Sequence, residues 1–316
     1  MFDIFLNTTR PKEDLFFRKN DLNDVRLGEV VSAKIEDYET SNVVILGCPQ
    51  DEGVRRNGGR TGAAFAPEAI RRQFYKLTPF GISMKVFDSG DVIIQNSLEA
   101  THDLHAKIVE QILRDGKKII VLGGGNDVSF PDGNAMANVF GAENWLGLNV
   151  DAHFDVRADR ERNSGTPYRQ LLDGKMISPT NFYEIAFQTQ AASPIYFDYL
   201  KNSGVNLKSL EEFEFANFKS QIKQKLSSQK AQLLVFWGFD VDAVCAADAP
   251  GTSAPSPIGI RAKDFCDLAS FSGSLTQTRV VEFSEMNPNF DIDKRTAKLV
   301  AVAMHKFLSS IVTAEK

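Results

Sequence analysis

The chain has 316 residues, a net charge of -5, 43% hydrophobic and 24% charged residues, the composition of a globular protein able to bury a large core. The acidic balance argues against a nucleic-acid partner, whose phosphates reward surplus lysine and arginine. Three dispersed cysteines, Cys48, Cys245 and Cys266, fit neither a zinc ribbon nor a disulfide framework, and no run approaches the ~18 apolar residues of a membrane helix.

A cytoplasmic protein without membrane contact is therefore expected, since the N-terminus also shows no targeting pattern. Residues 1–40 mix Phe2, Phe5, Phe16 and Phe17 with charges and keep no clean period, which predicts an irregular arm packed on the body or on a neighbouring subunit. From residue 41 to 316 no repeat, low-complexity tract or linker intervenes, and one domain is the simpler reading.

Within it, short β-branched apolar runs alternate with Gly- or Asp-rich breaks and helical stretches, the rhythm of a parallel sheet covered on both faces. The runs Val43–Leu46, Ile119–Leu122, Leu146–Val150, Leu233–Trp237 and Val280–Phe283 read as buried strands. Leu104, Ile108, Val109, Ile112 and Leu113 recur at helical spacing, with Thr101 placed to cap the start and Gly116 the end. A last helix over Thr296–Ile311 is apolar nearly all round and should be buried.

Three strands end in an abrupt change from apolar to acidic or amide residues, and ligands collect at the carboxyl ends of such strands. VLGGGNDVS carries Asn126 and Asp127 after three glycines that let the backbone turn tightly. NVDAHFDVR places Asp151, His153 and Asp155 at alternate positions, which on an extended backbone would point all three side chains one way. FWGFDVDAV repeats that spacing with Asp240 and Asp242.

Any one such aspartate could merely cap a helix or hold loop amides. Two carboxylates 4 Å apart repel by about 4 kcal/mol at an effective dielectric near 20, so four of them together call for cations. An oxygen-rich set with a single imidazole suits two Mn²⁺ ions better than zinc.

Taken in order, these motifs resemble the arginase superfamily, the ureohydrolases, with EMNPNFD at Glu285–Asp291 as the fourth element. The likeness runs from about Val43 to Phe307. GVRRNGGRTGAAFAP at Gly53–Pro67, NSGTPYRQ at Asn163–Gln170 and APGTSAPSPIG at Ala249–Gly259 are most similar to formimidoylglutamases. The resemblance implies a three-layer α/β/α fold around a mainly parallel sheet of about eight strands, and a homo-oligomer, trimer or hexamer. It also implies hydrolysis of N-formimidoyl-L-glutamate to L-glutamate and formamide, in histidine breakdown, by water activated between two manganese ions.

Carried across by motif, Asp151 and Asp240 would bridge both metals, Asp155 would hold the first, and His153 and Asp242 the second. The remaining position on the first metal, normally histidine, is Asn126 here. Asp155 and Glu285 would be catalytic, the first bonding the nucleophile and the second the cationic substrate nitrogen. Ser164 stands where arginases and agmatinases place a proton-moving histidine, so the departing nitrogen must take its proton from Asp155 or water.

Arg157, with Asn163 and Ser164, is expected to bind an acidic substrate, because a guanidinium there can grip a carboxylate bidentately. Arg55, Arg56 and Arg60 read as solvated, His102 and His105 as an exposed first helical turn, His305 as a packed imidazole and Cys245 as a small buried thiol. Two alternatives stay open: a hydrolase of another guanidino or amidino acid, and a metal-poor, non-catalytic protein in which Asn126 has replaced the histidine.

Overall fold

The computed structural model describes residues 2–228 and 233–312. Nine strands form one open sheet: β1 Thr8–Thr9, β2 Val43–Gly47, β3 Val86–Val92, β4 Lys118–Leu122, β5 Trp145–Val150, β6 Phe182–Phe187, β7 Asn206–Ser209, β8 Leu234–Asp240 and β9 Thr278–Ser284. Their order is β1-β3-β2-β4-β9-β8-β5-β6-β7. The eight from β3 to β7 in that order are parallel throughout, and β1 adds a ninth, antiparallel edge. The expected mainly parallel sheet of about eight strands is present, and the N-terminal segment supplies the extra edge.

Strand residues alternate between two apolar layers. Val43, Ile45, Ile120, Leu122 and Val281 pack with the helices Ala66–Phe74, Ala262–Ser274 and Arg295–Ser309. Val44, Leu46, Ile119, Val121 and Val280 pack with Leu98–Arg114, Ser129–Phe140 and Pro167–Asp173 on the other side. Buried on both faces, these runs can be uniformly apolar, which is why five strands were visible as such.

Ile4, Leu15, Leu27, Val31 and Tyr38 of residues 1–40 are buried against the same core. The helix Leu98–Arg114 starts a turn earlier than expected: Ser97 is the N-cap, accepting from Ala100 N at 3.1 Å, and Thr101 lies inside. No helix among the described residues is long and apolar enough to cross a membrane.

Beneath the edge, Arg71 is fully buried and forms a fork to Asp88 at 2.8 and 3.0 Å, with Asp91 at 2.5 Å and Gly90 O at 2.9 Å. Tyr75 OH also donates to Asp88. This ion pair neutralises an aspartate inside β3 and ties the helix Ala66–Phe74 to the strand that carries β1.

Candidate metal centre

The four motifs project from the carboxyl ends of β4, β9, β8 and β5, consecutive strands in the middle of the sheet. β4 runs into Gly123–Gly125 and a 3-10 turn at Asn126–Val128. A Cβ on Gly124 would lie 1.6 Å from Gln50 O, so only glycine lets this loop press against the one after β2. β9 delivers Glu285, β8 ends on Asp240, and β5 ends at Val150, just before Asp151.

The acids converge by turns rather than by an extended pleat. Residues after Val150 leave strand geometry, and Asp155 has φ +46°, left-handed backbone that costs a side chain energy unless the surroundings enforce it. Glu285 has φ +63° for the same purpose. Asp242 sits in the one-turn helix Val241–Ala243, whose start Asp240 caps by accepting from Asp242 N at 2.8 Å. Asp151 likewise accepts from His153 N at 2.7 Å. Loop-amide bonding and convergence on one point thus occur together.

Two groups of side chains each bring three ligand atoms within 4.8 Å of one another: Asp151, His153 and Asp242, and Asp151, Asp155 and Asp240. Asp151 belongs to both. His153 Nδ1 lies 3.2 Å from Asp242 Oδ2 and 3.4 Å from Asp151 Oδ1. Among the described residues, Asp242 Oδ1 and Glu285 Oε2 are buried without a hydrogen-bond partner, which is costly unless something positive is placed beside them.

Electrostatics agree. Burial, then the charge of Asp151, pushes Asp155 well above the carboxylate range; burial, then Asp242 and Asp151, does the same to Asp240. Asp242 and Glu285 are also raised, mainly by burial. His153 is pushed up to about 12, chiefly by Asp242, so an imidazolium counters part of the negative charge. The donor set and the orphaned oxygens fit two divalent cations.

Asn126 is buried beside this cluster. Its Nδ2 donates to Asp155 Oδ2 at 2.7 Å and lies 3.4 Å from Asp151 Oδ2. Its backbone N–H donates to Glu285 Oε1 at 2.8 Å.

A cavity of about 490 Å³ opens over the acids, lined also by Asn57, Arg60, Arg157 and Ser164. Arg157 is exposed, has no carboxylate partner among the described residues, and lies over Gly165, where a Cβ would come within 2.7 Å of its Cδ. Ser164 Oγ accepts from Asn57 Nδ2 at 3.1 Å. Asn163 does not line the cavity: its side chain accepts from Gly165 N at 2.9 Å and donates to Asp159 at 3.0 Å, shaping the turn beneath.

The other arginines are occupied. Arg55 and Arg56 pair with Glu52, and Arg56 also with Glu99. Arg60 donates to Thr252 O at 2.5 Å and Ser253 O at 3.2 Å while stacking 3.9 Å over Phe290. His305 Nε2 lies 3.0 Å from Thr78 O, and Cys245 is a buried thiol, as read from sequence.

His102 and His105 differ from expectation: neither is solvated. They are 1% and 0% exposed, and their Nε2 atoms lie 2.7 Å from Asp127 and Asp132 respectively. With the helix starting at Leu98, both fall on its buried face. Sequence reasoning also missed the polar layer behind the site: Ser129, Asn149, Glu184, Glu282 and Ser284, all 0% exposed.

The arginase family model matches residues 41–309. Formimidoylglutamase of Rhodococcus opacus (strain B4) is 33% identical over 295 residues, 90% of this chain and 91% of that protein. Formiminoglutamase of Trypanosoma cruzi, solved with Mn2+2, has TM-score 0.82 and 31% identity, covering 91% of this chain and 98% of that one. Formimidoylglutamase of Bacillus subtilis, at 22% identity and TM-score 0.84 over 93% and 96% of the two chains, shares the fold. The chain belongs to the arginase family.

Proposed function

We propose that this chain hydrolyses N-formimidoyl-L-glutamate to L-glutamate and formamide with two manganese ions. The observation that carries the reading is Asp151 shared between two three-ligand groups at the carboxyl ends of the central strands. Formimidoylglutamase relatives at about 30% identity over most of the chain support the substrate.

Asp151, His153 and Asp242 would hold one cation; Asp151, Asp155 and Asp240, with Asn126, the other. The ions supply charge neutralisation and activation of water near neutral pH. Glu285, anchored through Oε1, offers its unpartnered Oε2 to the cationic formimidoyl nitrogen. Asp155 accepts a proton at the reacting centre and returns it to the departing glutamate nitrogen. Arg157, unpaired at the cavity wall, takes a substrate carboxylate, and Ser164 lies beside it as a neutral donor. The same reading makes the enzyme a cytoplasmic homo-oligomer; Phe65 and Phe80, 63% and 84% exposed, are apolar surface of the kind that subunits cover.

One observation favours the metal-poor alternative: Asn126 turns its amide nitrogen, not its oxygen, toward Asp155. Manganese-loaded turnover on a panel of amidines and guanidines separates the readings. Release of formamide and glutamate is expected; urea from arginine as the dominant product, or no turnover with no ion bound, would reject the assignment.

A further inference from the structure

Asn126 has a neutral side chain with two unlike ends, and its surroundings fit either. Oδ1 accepts from Ser129 Oγ at 3.0 Å and from Ser284 Oγ at 2.8 Å, while Nδ2 faces the acids. Ser129 has one hydroxyl proton but two acceptors, because Glu282 Oε1 also lies 2.8 Å from its Oγ. All four residues are 0% exposed, so bulk water has no access to make up a missing bond.

Turned end for end, the amide would give its two N–H protons to the two hydroxyl oxygens and leave the Ser129 proton to Glu282. Both hydroxyl oxygens would then accept from the amide, and the Ser284 proton would be released from Asn126. Oδ1 would meanwhile face Asp151 and Asp155, which repels unless a cation lies between. The hydroxyl pair can thus serve either orientation, the acids favour the nitrogen unless a cation lies between, and a bound ion decides between them.

The geometry points to Ser129 and Ser284 as positioning residues for metal loading: amphoteric hydroxyls that hold Asn126 as a donor to the acids when no cation is bound and as an oxygen ligand when one is. A hydroxyl both donates and accepts, so the pair serves both states; an apolar side chain serves neither, and a carboxylate only the loaded one. This rests on the two-manganese reading above and goes beyond it, by assigning the occupancy of one ion position to residues that touch no ion.

The test is manganese titration followed by electron paramagnetic resonance on the unmodified protein, Ser284→Ala, the Ser129→Ala/Ser284→Ala pair and Ser284→Thr. The unmodified protein is expected to bind two ions. The paired variant should retain one at unchanged affinity and bind the other roughly 10–100-fold more weakly, the usual loss for partners that orient a ligand. Ser284→Thr, which keeps the hydroxyl, should stay close to the unmodified protein. If the paired variant does not fold, Ser284→Ala carries the comparison alone. Unchanged affinity at both positions, or an equal loss at both, would overturn the inference while leaving the two-manganese reading intact. An unmodified protein that binds no manganese would overturn that reading and the inference together.

Discussion

Raising the pH should destabilise the metal-free protein and strengthen the stabilisation that manganese gives it. His153 is held at about 12 against an ordinary value of 6.5. Its contribution to stability is thus fully present below 6.5 and is lost as pH climbs toward 12. Asp155, Asp240 and Asp242 are raised above an ordinary value of 3.8, so their protonated forms also stabilise the fold at low pH and lose that effect as pH rises. All four trends run the same way.

A cation needs neutral imidazole, so binding displaces the His153 proton at a cost of about 1.4 kcal/mol for each pH unit below its pKa. Between pH 6 and 8.5 that cost falls by about 3 kcal/mol. Unfolding entropy of ~2.1 cal/mol/K per residue gives roughly 0.66 kcal/mol/K for a chain this long, so the manganese-induced rise in Tm should be about 5 °C larger at pH 8.5. Differential scanning calorimetry with and without manganese, at one free-ion concentration, measures it. An equal rise at both pH values, or a larger one at pH 6, would refute the assignment of His153 as a proton-competed ligand.

Asp151→Asn, which alters the one acid common to both groups, should reduce bound manganese below one ion per chain and lower turnover more than 100-fold, beyond the ~10–100-fold typical of outer partners; metal analysis and kcat report it. Arg157→Gln should raise KM roughly 10–100-fold with kcat little changed, the ~1.5–3 kcal/mol of a charged hydrogen bond. A formimidoyl substrate without carboxylates should be indifferent to that change. Arg71→Met leaves Asp88 buried without its counter-charge and should cost roughly 3–5 kcal/mol, with most of the loss recovered when Asp88→Asn is added; thermal unfolding of the single and double variants shows it.

What the sequence revealed and concealed has a common physical origin. β2, β4, β5, β8 and β9 sit in the interior of the sheet and announce themselves as apolar runs. β3 was hidden because Asp88, Ser89 and Gly90 lie within it, and its buried carboxylate makes sense only once Arg71 arrives from the preceding helix. β6 carries the buried Glu184, and β7 is a polar edge of four residues. The acids that gather into the two groups were legible because carboxylates after apolar strands have few innocent explanations. The route by which they converge was not, since it depends on left-handed turns that alternate spacing does not encode.

His102 and His105 carried a readable signal: with Leu98, Val109 and Ile112 they continue one stripe at helical spacing. Their polarity masked the pattern, and partners Asp127 and Asp132 come from another helix and its preceding turn. Asn163 lies off the cavity wall for a related reason. Sequence proximity to Ser164 says nothing about which of two neighbours faces the cavity.

The backbone at Asp155 and Glu285 makes these positions selective on two separate grounds. Asparagine and glycine tolerate such dihedrals, so replacing Asp155 by either removes the charge while sparing the loop. Valine, isoleucine or threonine would force the chain elsewhere and drag neighbouring ligands with it. A complete substitution map should accordingly split into two kinds of inactive protein, one folded and chemically mute, the other displaced along the whole rim of the cavity.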